Sequence, residues 1–154
     1  MSVFGGVTQK LRRFERSSLG GAAVELAVVF PVLVLLFIGA VDYGRLFYTS
    51  ITVANAARAG AEWGAKDTFD SDNSTEINKF AQADGQEAGT LTLNSRQFCE
   101  CFGATASCTT SCSGGSAPEV FVEVIASKSV PMSLPYPGLP SAITVSRKAT
   151  FRAQ

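Results

Sequence analysis

Residues 26–41, LAVVFPVLVLLFIGAV, carry no charge, and the apolar run that opens at residue 21 ends only at Asp42 and Arg45. As a helix, residues 21–41 span about 31 Å, close to the apolar thickness of a bilayer. A buried core helix is the alternative, but sixteen uncharged residues behind a basic leader select a membrane span. Beyond residue 41 the helical period is expected to continue to about Gly64. Tyr43, Phe47, Ala54, Ala57 and Ala61 fall near one face, with Arg45, Thr49 and Thr52 projecting from the other. Ala56, Gly60 and Gly64 form a stripe of small residues that permits close approach. Packing of that stripe on the chain's own sheet is preferred over contact with a neighbouring helix.

The remaining pattern is shorter in period. Residues 67–73 read as an acidic, polar linker. A calcium loop starting at Asp70 would need glycine at its sixth place and glutamate at its twelfth, where Thr75 and Ala81 stand, so that motif fails. Asn73 instead suits a helix N-cap, with Glu76 three residues on and Ile77, Phe80 and Ala81 at helical spacing; Gly85 or Gly89 ends the helix. After Gly89 the period becomes two. TLTLNSRQFCECF (90–102) gives one bent strand or two short ones. EVFVEVIASKSV (119–130) sets Val120, Val122, Val124 and Ala126 against Phe121, Glu123 and Ile125. ITVSRKATF (143–151) puts Ile143, Val145, Arg147, Ala149 and Phe151 on one face. Four prolines within residues 131–140 predict a stiff, exposed connector. The pattern predicts an α+β fold: a long N-terminal transmembrane and amphipathic helix, a short second helix, and an antiparallel sheet of three or four strands covered on one side.

Charge fixes the orientation. The chain has 154 residues and no net charge, but Lys10, Arg12, Arg13 and Arg16 against Glu15 give residues 1–20 a net +3, leaving −3 for the rest. That distribution is no nucleic-acid footprint. Positive charge before the span puts the N-terminus in the cytoplasm and everything after Val41 outside. A cleaved secretory signal peptide is the rival, but Ile38-Gly39-Ala40 is a poor small-x-small site and the helical pattern runs on past it. The chain contains no histidine, which removes the commonest general base and excludes Ser/His/Asp and Cys/His arrangements, so an enzyme is not expected. No catalytic, cofactor or metal residues are assigned.

Glu25 is the anomaly of the apolar run. One reading has its carboxylate snorkelling to the headgroups. The other treats an intramembrane acid as functional and asks for its partner. A cut after Gly20 would create an α-amine on Gly21, one helical turn from Glu25 or supplied by a neighbouring subunit, and the pair costs less in low dielectric than either charge alone. Glycine before the cut also suits an extended leader entering a protease.

Gly20 followed five residues later by Glu25, then Val24-Glu25-Leu26-Ala27, Pro31, Gly39, Asp42-Tyr43-Gly44-Arg45 and Asn55-Ala56-Ala57-Arg58 with Gly60 and Ala61, resembles the TadE-like family of minor pilins (pseudopilins) of tight-adherence pilus systems. The resemblance covers roughly residues 20 to 64. It implies a type IV pilin-like layout and removal of a basic leader, residues 1–20, by a prepilin peptidase between Gly20 and Gly21. It further implies a transmembrane half-helix at 21–41, an extracytoplasmic continuation at 42–66 and an outer α+β domain at 67–154. The partners implied are that peptidase, the major and minor pilins of the same system, the inner-membrane assembly platform and the lipid bilayer. The product would sit in the bacterial inner membrane with a periplasmic C-terminal domain, or enter an extracellular pilus. Leu26 departs from the aromatic residue often found there, which bears on methylation and local packing and leaves the expected cut unaffected.

Pro31 removes one backbone donor in mid-span; it either kinks the helix or is simply tolerated, as membrane helices allow. Cys99, Cys101, Cys108 and Cys112 lie within fourteen residues. Thiolates suit zinc, but the spacing is not that of a familiar ribbon, and an extracytoplasmic segment is oxidising, so two disulfides are expected. Of three connectivities, the nested one, Cys99–Cys112 with Cys101–Cys108, is the expected pairing. Two function classes follow: a structural pilus-assembly protein, or a membrane-anchored extracytoplasmic binding module.

Overall fold

The computed structural model of the protein describes residues 18–68, 70–134, 138 and 140–153. The basic residues of the leader, Lys10 to Arg16, and Pro135 and Pro137 of the proline segment lie outside the described residues. Two units can be distinguished, one up to Gly39 and one from Ala40 onward. Helix α1, Ser18–Gly64, runs through both. Its first unit is an apolar helix containing Pro31, with every described side chain from Gly21 to Phe37 exposed.

The second unit is the α+β fold that the alternation predicts. After α1 come α2 (Ser74–Asp84), a turn of 3-10 helix (Gln86–Ala88), and strands β1 (Thr92–Cys101), β2 (Ala104–Ala106), β3 (Glu119–Pro131) and β4 (Ala142–Arg152). All strand pairs are antiparallel, in the order β2-β1-β3-β4. Residues 90–102 therefore yield one strand, β1, and the fourth strand is the short β2, which the sequence pattern did not mark.

Helix α2 starts where its cap requires. Asn73 Oδ1 accepts from the Glu76 N–H at 3.2 Å, and Gly85, rather than Gly89, closes the helix by donating to Ala81 O. Gln82 then braces the connection to β1, donating to Gly89 O and accepting from the Leu91 N–H at 2.9 Å. The core forms where α1 and α2 meet the sheet. Val53, Ala56 and Ala57 pack with Leu91 and Ala126; Ala61 packs with Ile77, Ala81, Val122 and Val124. Leu93 and Ala149 touch both groups.

Small residues set the closest contact. A Cβ on Gly60 would lie 2.8 Å from Ala81 Cβ, and one on Gly64 would lie 3.0 Å from Val122 Cγ1. The Ala56, Gly60, Gly64 stripe thus packs within the chain, on α2 as well as on the sheet. Of the residues read on one face, Ala57 and Ala61 are buried but Tyr43 and Phe47 are 71% and 60% exposed, and Thr52, read as projecting from the other side, is buried. Close packing of a helix on a sheet selects the side carrying alanine and glycine.

The disulfides join Cys99 to Cys108 and Cys101 to Cys112, so the nested pairing is corrected to an interleaved one. The cause is a two-residue turn between β1 and β2, in which Phe102 and Gly103 both take positive φ, 54° and 79°. Such mirror-image turns match the twist of a hairpin. The turn sets Cys99 opposite Ala106 and Cys101 opposite Ala104. Cys108 then lies diagonal to Cys99, with Cα atoms 5.1 Å apart. Cys101 lies two strand residues beyond Cys99, roughly 7 Å further along β1. A later turn, in which Cys112 N–H donates to Ser116 O and Gly115 N–H to Cys112 O, brings Cys112 back to Cys101.

Candidate assembly helix and its polar anchors

Gly20 and Gly21 lie in the opening turns of α1 and Glu25 lies one turn further on. Nothing approaches within 4 Å of a Cβ built on Gly21. Around Glu25 the exposed neighbours are Val24, Leu26, Val28 and Val29, and no ion pair or hydrogen bond reaches its carboxylate among the described residues. A charged group with only apolar neighbours is costly out of water unless a counter-charge arrives. Among the described residues, α1 is the one helix long and apolar enough to cross a membrane, so it is a candidate anchor.

The second unit answers its own charges internally. Asp42, 3% exposed, accepts from the Ser133 N–H at 3.1 Å and from the Ser133 hydroxyl at 2.6 Å. Arg45 lies 3.6 Å from the same carboxylate, the i,i+3 spacing of the Asp-Tyr-Gly-Arg run, and donates to Ser133 Oγ at 3.2 Å. The segment after β3 is thereby tied to the start of this unit's helix. The sequence marks Asp42 as the end of the apolar run but does not mark Ser133, since a serine among prolines carries no pairing signal.

A second internal anchor is Glu123 on β3. It is 4% exposed on the sheet face away from α1, between Arg96 at 2.6 Å and Lys148 at 3.0 Å. The hydrogen bond from Arg96, aided by that from Lys148, holds its carboxyl below the usual glutamate range against the opposing effect of burial. Arg96 also lies over the Phe98 ring, which stacks on Phe121 across the strands. Alternation places Glu123 on this face; its two cations come from separate strands and become visible only with the register. Elsewhere, the Tyr48 hydroxyl donates to the Glu87 carboxylate, which pushes the Tyr48 phenol up.

Residues 20–62 match the family model described as TadE-like protein. That stretch of α1 is similar to the TadE-like family. The similarity supports a Tad pilus-associated protein. The match runs from Gly20 through Glu25, Pro31 and the Asp42–Arg45 pair to Glu62, and leaves the sheet and the disulfide-bonded hairpin outside it. No curated protein and no solved structure matches the chain.

Proposed function

We propose that the protein is a minor pilin, or pseudopilin, that takes part in assembling a tight-adherence type IV pilus. Its apolar helix at 21–41 spans the inner membrane with the N-terminus cytoplasmic and packs into the filament or its priming complex. The observation that carries this reading is Glu25. Inside the TadE-like segment it sits four residues from Gly21 on an exposed apolar helix and has no partner among the described residues. Cleavage between Gly20 and Gly21 by a prepilin peptidase would expose an amine at the spacing that places two groups on one helix face. Paired with Glu25 in the same subunit or the next, that amine removes the cost of an isolated intramembrane charge. Because Ser18–Gly21 is helical in the uncut chain, the peptidase has to unwind this turn, which the glycine pair makes inexpensive. The helix from residue 42 and the domain at 67–154 then stand outside the membrane, where the disulfides are stable.

N-terminal sequencing of the protein from its native host tests the cut. A chain beginning at Gly21 is expected; a chain retaining Met1 and the basic leader overturns the pilin reading in favour of a permanently anchored binding module. Glu25→Ala should be processed normally yet enter filaments poorly, and normal piliation in that variant would remove the pairing role.

A further inference from the structure

Strand β4 is an edge of the sheet, and its backbone phase is fixed at both ends. Ser141 O accepts from the Met132 N–H at 3.0 Å, and the Ala153 N–H donates to Val120 O at 2.8 Å. Odd-numbered residues of β4 therefore face β3, while the N–H and C=O of Thr144, Ser146, Lys148 and Thr150 point outward, since alternate residues of an antiparallel strand bond to opposite sides. An open edge of this length is a template for another strand unless it is guarded.

The guard here is one side chain. Lys148 and Arg152 are engaged by Glu123 and Glu119, whereas Arg147 has no acid partner among the described residues. Its Nη1 donates to Ser146 O, one of the outward carbonyls, at 3.0 Å, and its Nη2 donates to Ser50 Oγ on α1. Arg147 thus reaches from β4 to α1 at a groove of about 470 Å³. Tyr43, Leu46 and Phe47 form one wall and Ile143 and Val145 the other. Tyr43 and Phe47 stack at 6.4 Å and remain exposed.

We propose that this groove is a strand-addition site for an extended segment of another polypeptide that sets apolar residues opposite Ile143 and Val145 and a carboxylate opposite Arg147. The backbone of the segment bonds the open edge, and its apolar side chains fill the space beside Tyr43 and Phe47. Its carboxylate draws the guanidinium off Ser146 O and frees that carbonyl for an incoming N–H. Charge selects the occupant. β4 carries three cations and no acid, so two β4 strands paired with each other would set like charges face to face, which disfavours a second copy. The site goes beyond pilus assembly as such, and its failure would leave the N-terminal cut untouched.

Binding of a labelled heptapeptide to the full chain in detergent micelles tests the site. The probe alternates Thr with Glu, Val and Val on one face and is made in both sequence directions. Saturable binding is expected in one direction, weakened about tenfold or more when Glu is replaced by Lys. Methylating alternate backbone nitrogens of the peptide should abolish binding, and this arm needs no altered protein. In the full chain, Arg147→Glu should invert the preference towards the Lys peptide. The proposal is overturned if neither direction binds, if the Glu and Lys peptides bind equally, or if the methylated peptide binds as well as its parent. Self-association through β4 that excludes the peptide would also overturn it.

Discussion

The two halves of α1 share one backbone and differ in where their partners are. From Gly21 to Phe37 the side chains are large, apolar and exposed, and the one acid has no partner among the described residues. From Val53 to Gly64 the buried positions are mostly alanine and glycine, packed against α2 and the sheet of the same chain. Bulk is therefore placed where the side chains are exposed, which in the proposed function is against lipid or another subunit, and small residues where the partner is the chain's own backbone. Two glutamates repeat the contrast. Glu123 is buried with two cations supplied by the neighbouring strands, whereas Glu25 stands in apolar company without one among the described residues. A helix that met its needs internally throughout would have no use for assembly.

The largest test of this contrast is Gly60→Leu. A Cβ there would already lie 2.8 Å from Ala81 Cβ and 3.2 Å from the Ile77 carbonyl, so a longer side chain forces α2 off α1. The expected loss is about 3 kcal/mol of stability for the second unit, at the upper end of overpacking costs. Thermal unfolding in micelles followed by Trp63 fluorescence reads it, since Trp63 is the one tryptophan and stacks on Phe80 of α2 at 4.8 Å. Unchanged unfolding would mean that α2 is not held by this contact and that the small-residue stripe is free to meet another chain.

Glu123→Ala comes next. At neutral pH the loss should be about 1–3 kcal/mol, the cost of breaking a buried charged hydrogen-bond set whose cations remain partly solvated. The folded carboxyl titrates below its ordinary value of 4.5, so its stabilisation is complete above that value and disappears as pH falls through the lowered one. The gap between wild type and Glu123→Ala should therefore close on acidification below pH 4.5. Parallel stability curves down to strongly acidic pH would show that the carboxylate contributes nothing by ionisation. Glu25→Ala should not move the Trp63 transition at any pH, because its carboxylate has no partner among the described residues.

What the sequence discloses divides along the same line. Period 3.6 up to Gly64, the Asn73 cap and period two in β3 and β4 are local signals that tertiary packing then reinforces. The hairpin turn was illegible because Phe102 is not a turn residue, yet it takes positive φ beside Gly103. With the turn went β2 and the correct disulfide pairing. On α1 the small-residue stripe read as packing within the chain does so, while Tyr43 and Phe47, grouped with Ala57 and Ala61 by periodicity, stay exposed. Ser133 beneath Asp42 and Arg147 across the groove are joined to their partners only by strand register. At the N-terminus the position is reversed. Gly21 and Glu25 stand out in the sequence because no packing or pairing among the described residues accounts for them.

The smallest expected effect isolates the contrast most cleanly, since one substitution is made at two places on one helix. A Cβ on Gly44 would meet nothing within 4 Å. Gly44→Ala removes a flexible residue from a helix interior and should raise stability by about 0.5–1 kcal/mol. Gly60→Ala gains the same propensity but drives its methyl into Ala81, so its net effect should be a loss. Opposite signs in the Trp63 transition would show that Gly60 is kept for packing within the chain and Gly44 is not. A loss at both positions would break the comparison, because it would place an internal contact on the face of α1 that carries Gly44. If Gly44→Ala stabilises the chain yet lowers piliation, the space above Gly44 belongs to a neighbouring subunit.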